Sequence, residues 1–142
     1  MRSLEAIERA LDATPDTGRA AEEALRLLGL AEEVLEAWVV ARGGEPTQDT
    51  REGFRLLALH HQGTRGSPSF NACRETCREV AWHFNLLTGA RADDPARTLC
   101  MMQLLVRHLA YFVGGKMQVD GLGEFCCASR PLRQESGIIA SE

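Results

Sequence analysis

Lysine is almost missing from this chain: Lys116 stands alone against fifteen arginines in 142 residues. That imbalance reads as a bias toward G+C-rich codons and leads to the expectation of a bacterial source. It does not build a basic footprint, because the arginines come singly or beside a glutamate, as in Arg74-Glu75 and Arg78-Glu79. Binding DNA or RNA calls for Lys and Arg gathered on one face, so no nucleic-acid partner is expected. The net charge of −4 is uneven: residues 1–49 hold eleven acidic and five basic side chains, and the remainder is slightly basic.

Long apolar runs are missing as well. The most apolar stretch, Leu99 to Val113, is interrupted by Gln103, Arg107 and His108. It falls short of the roughly 20 apolar residues that a membrane helix needs. The opening MRSLEAIERAL places Glu5 and Glu8 where a secretory signal would carry its apolar centre. The expectation is a cytoplasmic chain with no membrane partner. Five cysteines, an odd number at scattered spacings, do not suggest a disulfide scaffold, and a reducing compartment would keep them as thiols. No internal repeat or low-complexity run occurs. Gly114-Gly115-Lys116 lacks the upstream glycine and following hydroxyl of a phosphate-binding loop. Aromatic residues are sparse at 6%, and the dominance of Leu, Ala, Glu and Arg favours helix over sheet.

What the sequence does have is helical periodicity. Leu4, Ile7 and Leu11 share one side of a short segment, Leu4–Ala13, closed by Thr14-Pro15. Thr14 as N-cap and Pro15 at the first helical position would open a second helix reaching Ala41. In that helix Ala21, Ala24, Leu28, Ala31, Leu35 and Trp38 keep a core spacing; Gly29 falls on the opposite stripe and Gly43-Gly44 ends the pattern. Asp49 and Glu52 resemble a capping box for a third helix, from Thr50 to Gly63, with Phe54, Leu57, Ala58 and His61 facing inward. Ser67-Pro68 opens a fourth, with apolar Phe70, Cys73, Cys77, Val80, Phe84 and Leu87, and Gly89 closes it.

Asp94-Pro95 opens a fifth helix, and Gly114-Gly115 should close it. Leu99, Met102, Val106, Leu109 and Val113 form its first seam; Met101, Leu105 and Phe112 form a second. Only a narrow polar strip with Arg97, Gln103 and Arg107 remains. A helix apolar nearly all round is covered by several neighbours or meets a second subunit. The expected fold is an all-α bundle of five to six helices, with a central apolar helix near 95–114 and an irregular C-terminal segment. A single helical domain would span 1–133, with Phe125 and Leu132 docking residues 124–133 beside the vicinal pair Cys126-Cys127. Residues 134–142 would form a mobile tail.

The candidate chemistry lies in thiols and imidazoles. Cys73 and Cys77, four apart, place their side chains about 5–6 Å apart on one helix face, close enough to share a metal. Tetrahedral zinc would need two further ligands, and His83 and His108 are candidates beside His60 and His61. No second matched cysteine pair of zinc-knuckle spacing follows. A reactive Cys-x-x-Cys pair sits at a helix N-terminus, whereas Cys73 lies inside its pattern with spacing Cys-x-x-x-Cys. Burial is the default for both thiols. Glu79 and His83 are four apart, not the three of the di-iron bundle motif. His60-His61 reads as helix C-terminal capping, and His108 as a hydrogen-bonded core histidine.

No catalytic residue and no cofactor are assigned. The expected role is a non-enzymatic self-associating or adaptor protein. A homodimer would be built on the fifth helix or the long second one. The competing expectation is a metal-, small-molecule- or thiol-chemistry protein with a pocket among Cys73, Cys77, His83 and His108.

Overall fold

The computed structural model describes residues 2–65 and 73–121. Within them the chain forms α1 (Leu4–Ala10), a 3-10 turn (Thr17–Arg19), α2 (Ala20–Ala41), α3 (Arg55–Gly63), α4 (Arg74–Thr88) and α5 (Pro95–Val119). Strands are absent among the described residues, where Arg51 and Phe54 form one isolated bridge. The all-α bundle anticipated from periodicity is the architecture found. The expected N-terminus of the fourth helix, Ser67 to Phe70, and the proposed docking of 124–133 lie outside the described residues, as does the 134–142 tail.

α2 is one continuous helix that packs against α1, α3, α4 and α5. Ala24, Leu27, Leu28, Leu30, Ala31, Val34, Leu35 and Trp38 give it a wide buried arc. α5 lies against α1, α2 and α4, and its first seam, Leu99, Met102, Val106, Leu109 and Val113, is fully buried. Gly89 and the short link through Asp94 turn the chain so that α5 folds back along α4, which shares the core through Cys73, Cys77, Val80 and Leu87. Each large aliphatic side chain fully withdrawn from water contributes about 1.5–3 kcal/mol, which is what holds these faces together.

Several boundaries differ from the sequence expectation for identifiable reasons. Thr14-Pro15 does not open α2. Asp16 accepts the Gly18 amide at 3.0 Å and starts the 3-10 turn, so the α-helix begins only at Ala20 and Ala21 is exposed. Asp49 and Glu52 form no capping box. Glu52 (φ 54°) and Gly53 (φ 85°) sit in the left-handed region of a tight turn closed by reciprocal Arg51–Phe54 amide hydrogen bonds of 2.9 Å. That turn delays α3 to Arg55 and rotates it by about one residue. Leu56, Leu59 and His60 are buried, Phe54 and Leu57 half-buried, and His61 is exposed, not inward.

Gly114-Gly115 does not end α5 either. The helix runs a further turn to Val119, and Asp120 with Gly121 (φ 73°) stops it. A Cβ at Gly114 would meet Leu4 Cδ2 at 3.2 Å, so this glycine serves the close approach of α1 to α5. The polar strip of α5 has a partner in the same contact. Gln103 Nε2 donates to the carbonyls of Leu11 and Ala13 at 2.8 Å, and Arg107 Nη1 to those of Leu11 (2.7 Å) and the Asp12 carboxylate (3.0 Å). Carbonyls that end a helix need donors. Arg26 of α2 supplies one at Ala10 (3.3 Å), and α5 supplies those at Leu11 and Ala13 just beyond α1.

Candidate functional site

Cys73 caps the start of α4 and Cys77 lies one turn on. Cys73 is 2% exposed and Cys77 not at all. Burial pushes the Cys73 thiol up to about 12, and it pushes Cys77 higher still, with Cys73 beside it adding to the rise. A reactive or metal-binding cysteine needs its thiolate. Desolvation here opposes it at both positions.

The histidines do not converge with them. His83 is half-buried, and its Nδ1 donates to the Glu79 backbone carbonyl at 2.7 Å, leaving the Glu79 carboxylate at 3.9 Å. His108 is exposed on α5, contrary to the expected core histidine, because the bundle covers the opposite side of that helix. Among the described residues no three His, Cys, Asp or Glu side chains are placed to hold a metal ion together. Cys73, Cys77, His83 and His108 are thus not assembled into one site.

The charged groups between α2 and α3 are structural in their geometry. Arg55 reaches from the first turn of α3 to Glu36, lies 3.5 Å from Glu32, and donates through Nε to the Thr47 carbonyl at 2.8 Å. Burial raises the Glu32 carboxyl, against the pull of Arg55. At the far end of α2 an open cleft of about 240 Å³ is lined by Trp38, Arg42, Gln62, Gly63 and Arg65. Its polar groups are largely committed to the fold. Trp38 Nε1 donates to the Gly63 carbonyl at 2.9 Å, Arg42 stacks over the Trp38 ring at 5.2 Å, and Gln62 bridges the Glu45 carbonyl and the Thr47 amide.

The outward face of α5 is different. Leu104 is 59% exposed, Tyr111 53% and Met101 43%, and Arg97, Cys100 and His108 are exposed beside them. Arg97, Met101, Leu104, His108 and Tyr111 follow one another at spacings of four and three, so they share one stripe of the helix. The second seam expected from the sequence is only partly this face. Leu105 and Phe112 are half-buried and pack against the core, while Leu104 and Tyr111 take the open positions. The four-three spacing was present in the sequence, but Arg97 and His108 interrupted its apolar character.

Leu25 on α2 and Trp82 on α4 are also exposed among the described residues. Single exposed apolar residues are ordinary; a row of them on one helix marks a surface that can meet another chain. No described helix is long and apolar enough to cross a membrane. Compared with known proteins, the chain matches no family model, no curated protein and no solved structure.

Proposed function

We propose that this protein is a non-enzymatic assembly module that self-associates through the outward face of α5. The observation that carries the reading is the exposed row Met101, Leu104 and Tyr111 on a helix whose other side is already filled by the core. Catalysis has weaker support: Cys73 and Cys77 are buried with raised thiols, no three His, Cys, Asp or Glu side chains gather among the described residues, and the cleft at the end of α2 has its main polar groups engaged. Covering the apolar part of such a face with a second surface is favourable by about 25 cal/mol per Å² removed from water.

The reading is tested by the mass of the full chain in sedimentation equilibrium across micromolar concentrations, beside Leu104→Asp. Wild type should gain mass with concentration. The variant should remain a single chain with unchanged helical circular dichroism. A wild-type mass of one chain throughout the range would overturn the proposal, as would a Leu104→Asp variant that associates as before.

A further inference from the structure

We propose that the open cleft at the end of α2 binds a phosphoryl dianion, held by Arg42 and Arg65. The site is separate from α5 and does not depend on self-association. Both arginines line this cleft of about 240 Å³, and no carboxylate does.

Trp38, Gln62 and Gly63 spend their polar groups on the fold, but the two guanidiniums do not. Arg42 meets the fold through its face, stacked over the Trp38 ring at 5.2 Å, and that contact leaves its N–H edge open. Arg65, just past α3, is exposed. Among the described residues neither guanidinium pairs with a carboxylate or donates to a carbonyl. Capping does not explain them, because the carbonyls that end these helices already have other donors. The Gly43 and Gly44 amides hold Val40 and Val39 at 2.9 Å, the Thr64 amide holds His60 at 3.0 Å, and Trp38 Nε1 holds Gly63 at 2.9 Å.

The cleft is also fixed in shape. Trp38 is 1% exposed and tied to Gly63, so the ring that carries Arg42 cannot turn away. A Cβ at Gly44 would meet Val39 Cγ1 at 3.1 Å, so glycine there lets the chain close over the end of α2. A guanidinium already stacked in place loses less freedom when it binds. The volume is below the ~300–1,000 Å³ of sites for drug-sized ligands, which points to a phosphoryl group with a small body at most. A phosphate monoester carries about −1.5 to −2 at pH 7, a match for two arginines whose planar forks fit phosphate oxygens. A monocarboxylate would neutralise one of them.

Calorimetric titration of the full chain at fixed ionic strength tests the site, with inorganic phosphate, phenyl phosphate and benzoate as probes. Both phosphates should bind saturably, one per chain, and benzoate at least several-fold more weakly. Tighter binding of phenyl phosphate than of inorganic phosphate identifies an ester as the ligand; equal binding identifies free phosphate. Arg42→Gln and Arg65→Gln should each weaken phosphate several-fold, and Arg91→Gln, at an exposed arginine outside the cleft lining, should not. Arg65→Gln leaves the stacking on Trp38 intact, so it decides the matter if Arg42→Gln loses its helical circular dichroism. In a Trp82→Phe chain Trp38 is the remaining tryptophan, and its fluorescence should change with phosphate. Absence of saturable heat, benzoate binding as tight as phosphate, equal losses in all three arginine variants, or unchanged Trp38 fluorescence would each overturn the proposal.

Discussion

α4 and the outward face of α5 differ in how far spacing alone accounts for burial. The cysteines of α4 are packing, as their default reading had it: Cys73 and Cys77 lie in the core with thiols held neutral by desolvation. Leu104 and Tyr111 of α5, which neither expected seam included, are more than half exposed. Periodicity groups residues onto a face, but whether that face is covered depends on which neighbour the topology brings to it. α5 shows this within one helix, since Leu109 is fully buried and Leu104 more than half exposed.

The sharpest way to break this contrast is to shorten one leucine on each side. Leu109→Ala should destabilise the fold by about 2–5 kcal/mol in urea denaturation, the range for a large buried side chain cut to Ala. Equal losses at positions 109 and 104, measured at dilution where the chain is single, would mean that both faces are covered. Next in size is Cys77→Ser, which puts a hydroxyl into an apolar seam at a cost of about 1–3 kcal/mol. Cys100→Ser, on the exposed side of α5, should leave the urea midpoint unchanged.

A smaller effect follows from pH. Cys73 is raised by burial from 9.0 to about 12, and Cys77 is raised for the same reason. With the folded value above the unfolded one, the fold binds the protons more tightly than the unfolded chain does. The stabilisation is therefore complete below about pH 9 and is lost as pH climbs from 9 toward 12. Urea midpoints taken at pH 7, 9 and 10.5 should fall more steeply for wild type than for the Cys73→Ala/Cys77→Ala chain. The smallest effect belongs to Leu104→Ser, within about 0.5 kcal/mol for the diluted single chain, as for other open surface positions.

The parts legible in the sequence were those that local physics decides alone. Asp94-Pro95 opens α5, with the Asp94 carboxylate accepting the Arg97 amide at 3.2 Å, and Gly43 at φ 85° ends α2 as its place after the pattern implied. The inner seams of α2, α4 and α5 followed from spacing. What escaped needed a second element to be in place. The phase of α3 is set by the turn at Glu52-Gly53 and held by two distant contacts, Arg55 to Glu36 and Trp38 to Gly63. Gly114 reads as a stop until Leu4 is seen against it. Gln103 and Arg107 read as a solvated strip until the end of α1 lies beneath them. Of the candidate site, the burial of Cys73 and Cys77 matched the default reading, while the exposure of His108 did not, because covering α5 on one side only is a property of the whole bundle.

The clasp of Gln103 and Arg107 on α1 also sets an order of events during synthesis. The carbonyls they hold belong to residues made 90 to 96 positions earlier. A ribosome adding ~5–20 residues per second makes that an interval of ~5–20 s. Through it the seven-residue α1 has the Arg26 donor at its Ala10 carbonyl but not those at Leu11 and Ala13 just beyond it, and a helix so short has little stability of its own. α1, made before the other described helices, is thus among the last of them to be secured, and a chain interrupted before Arg107 would leave Ile7 and Leu11 without a finished seat.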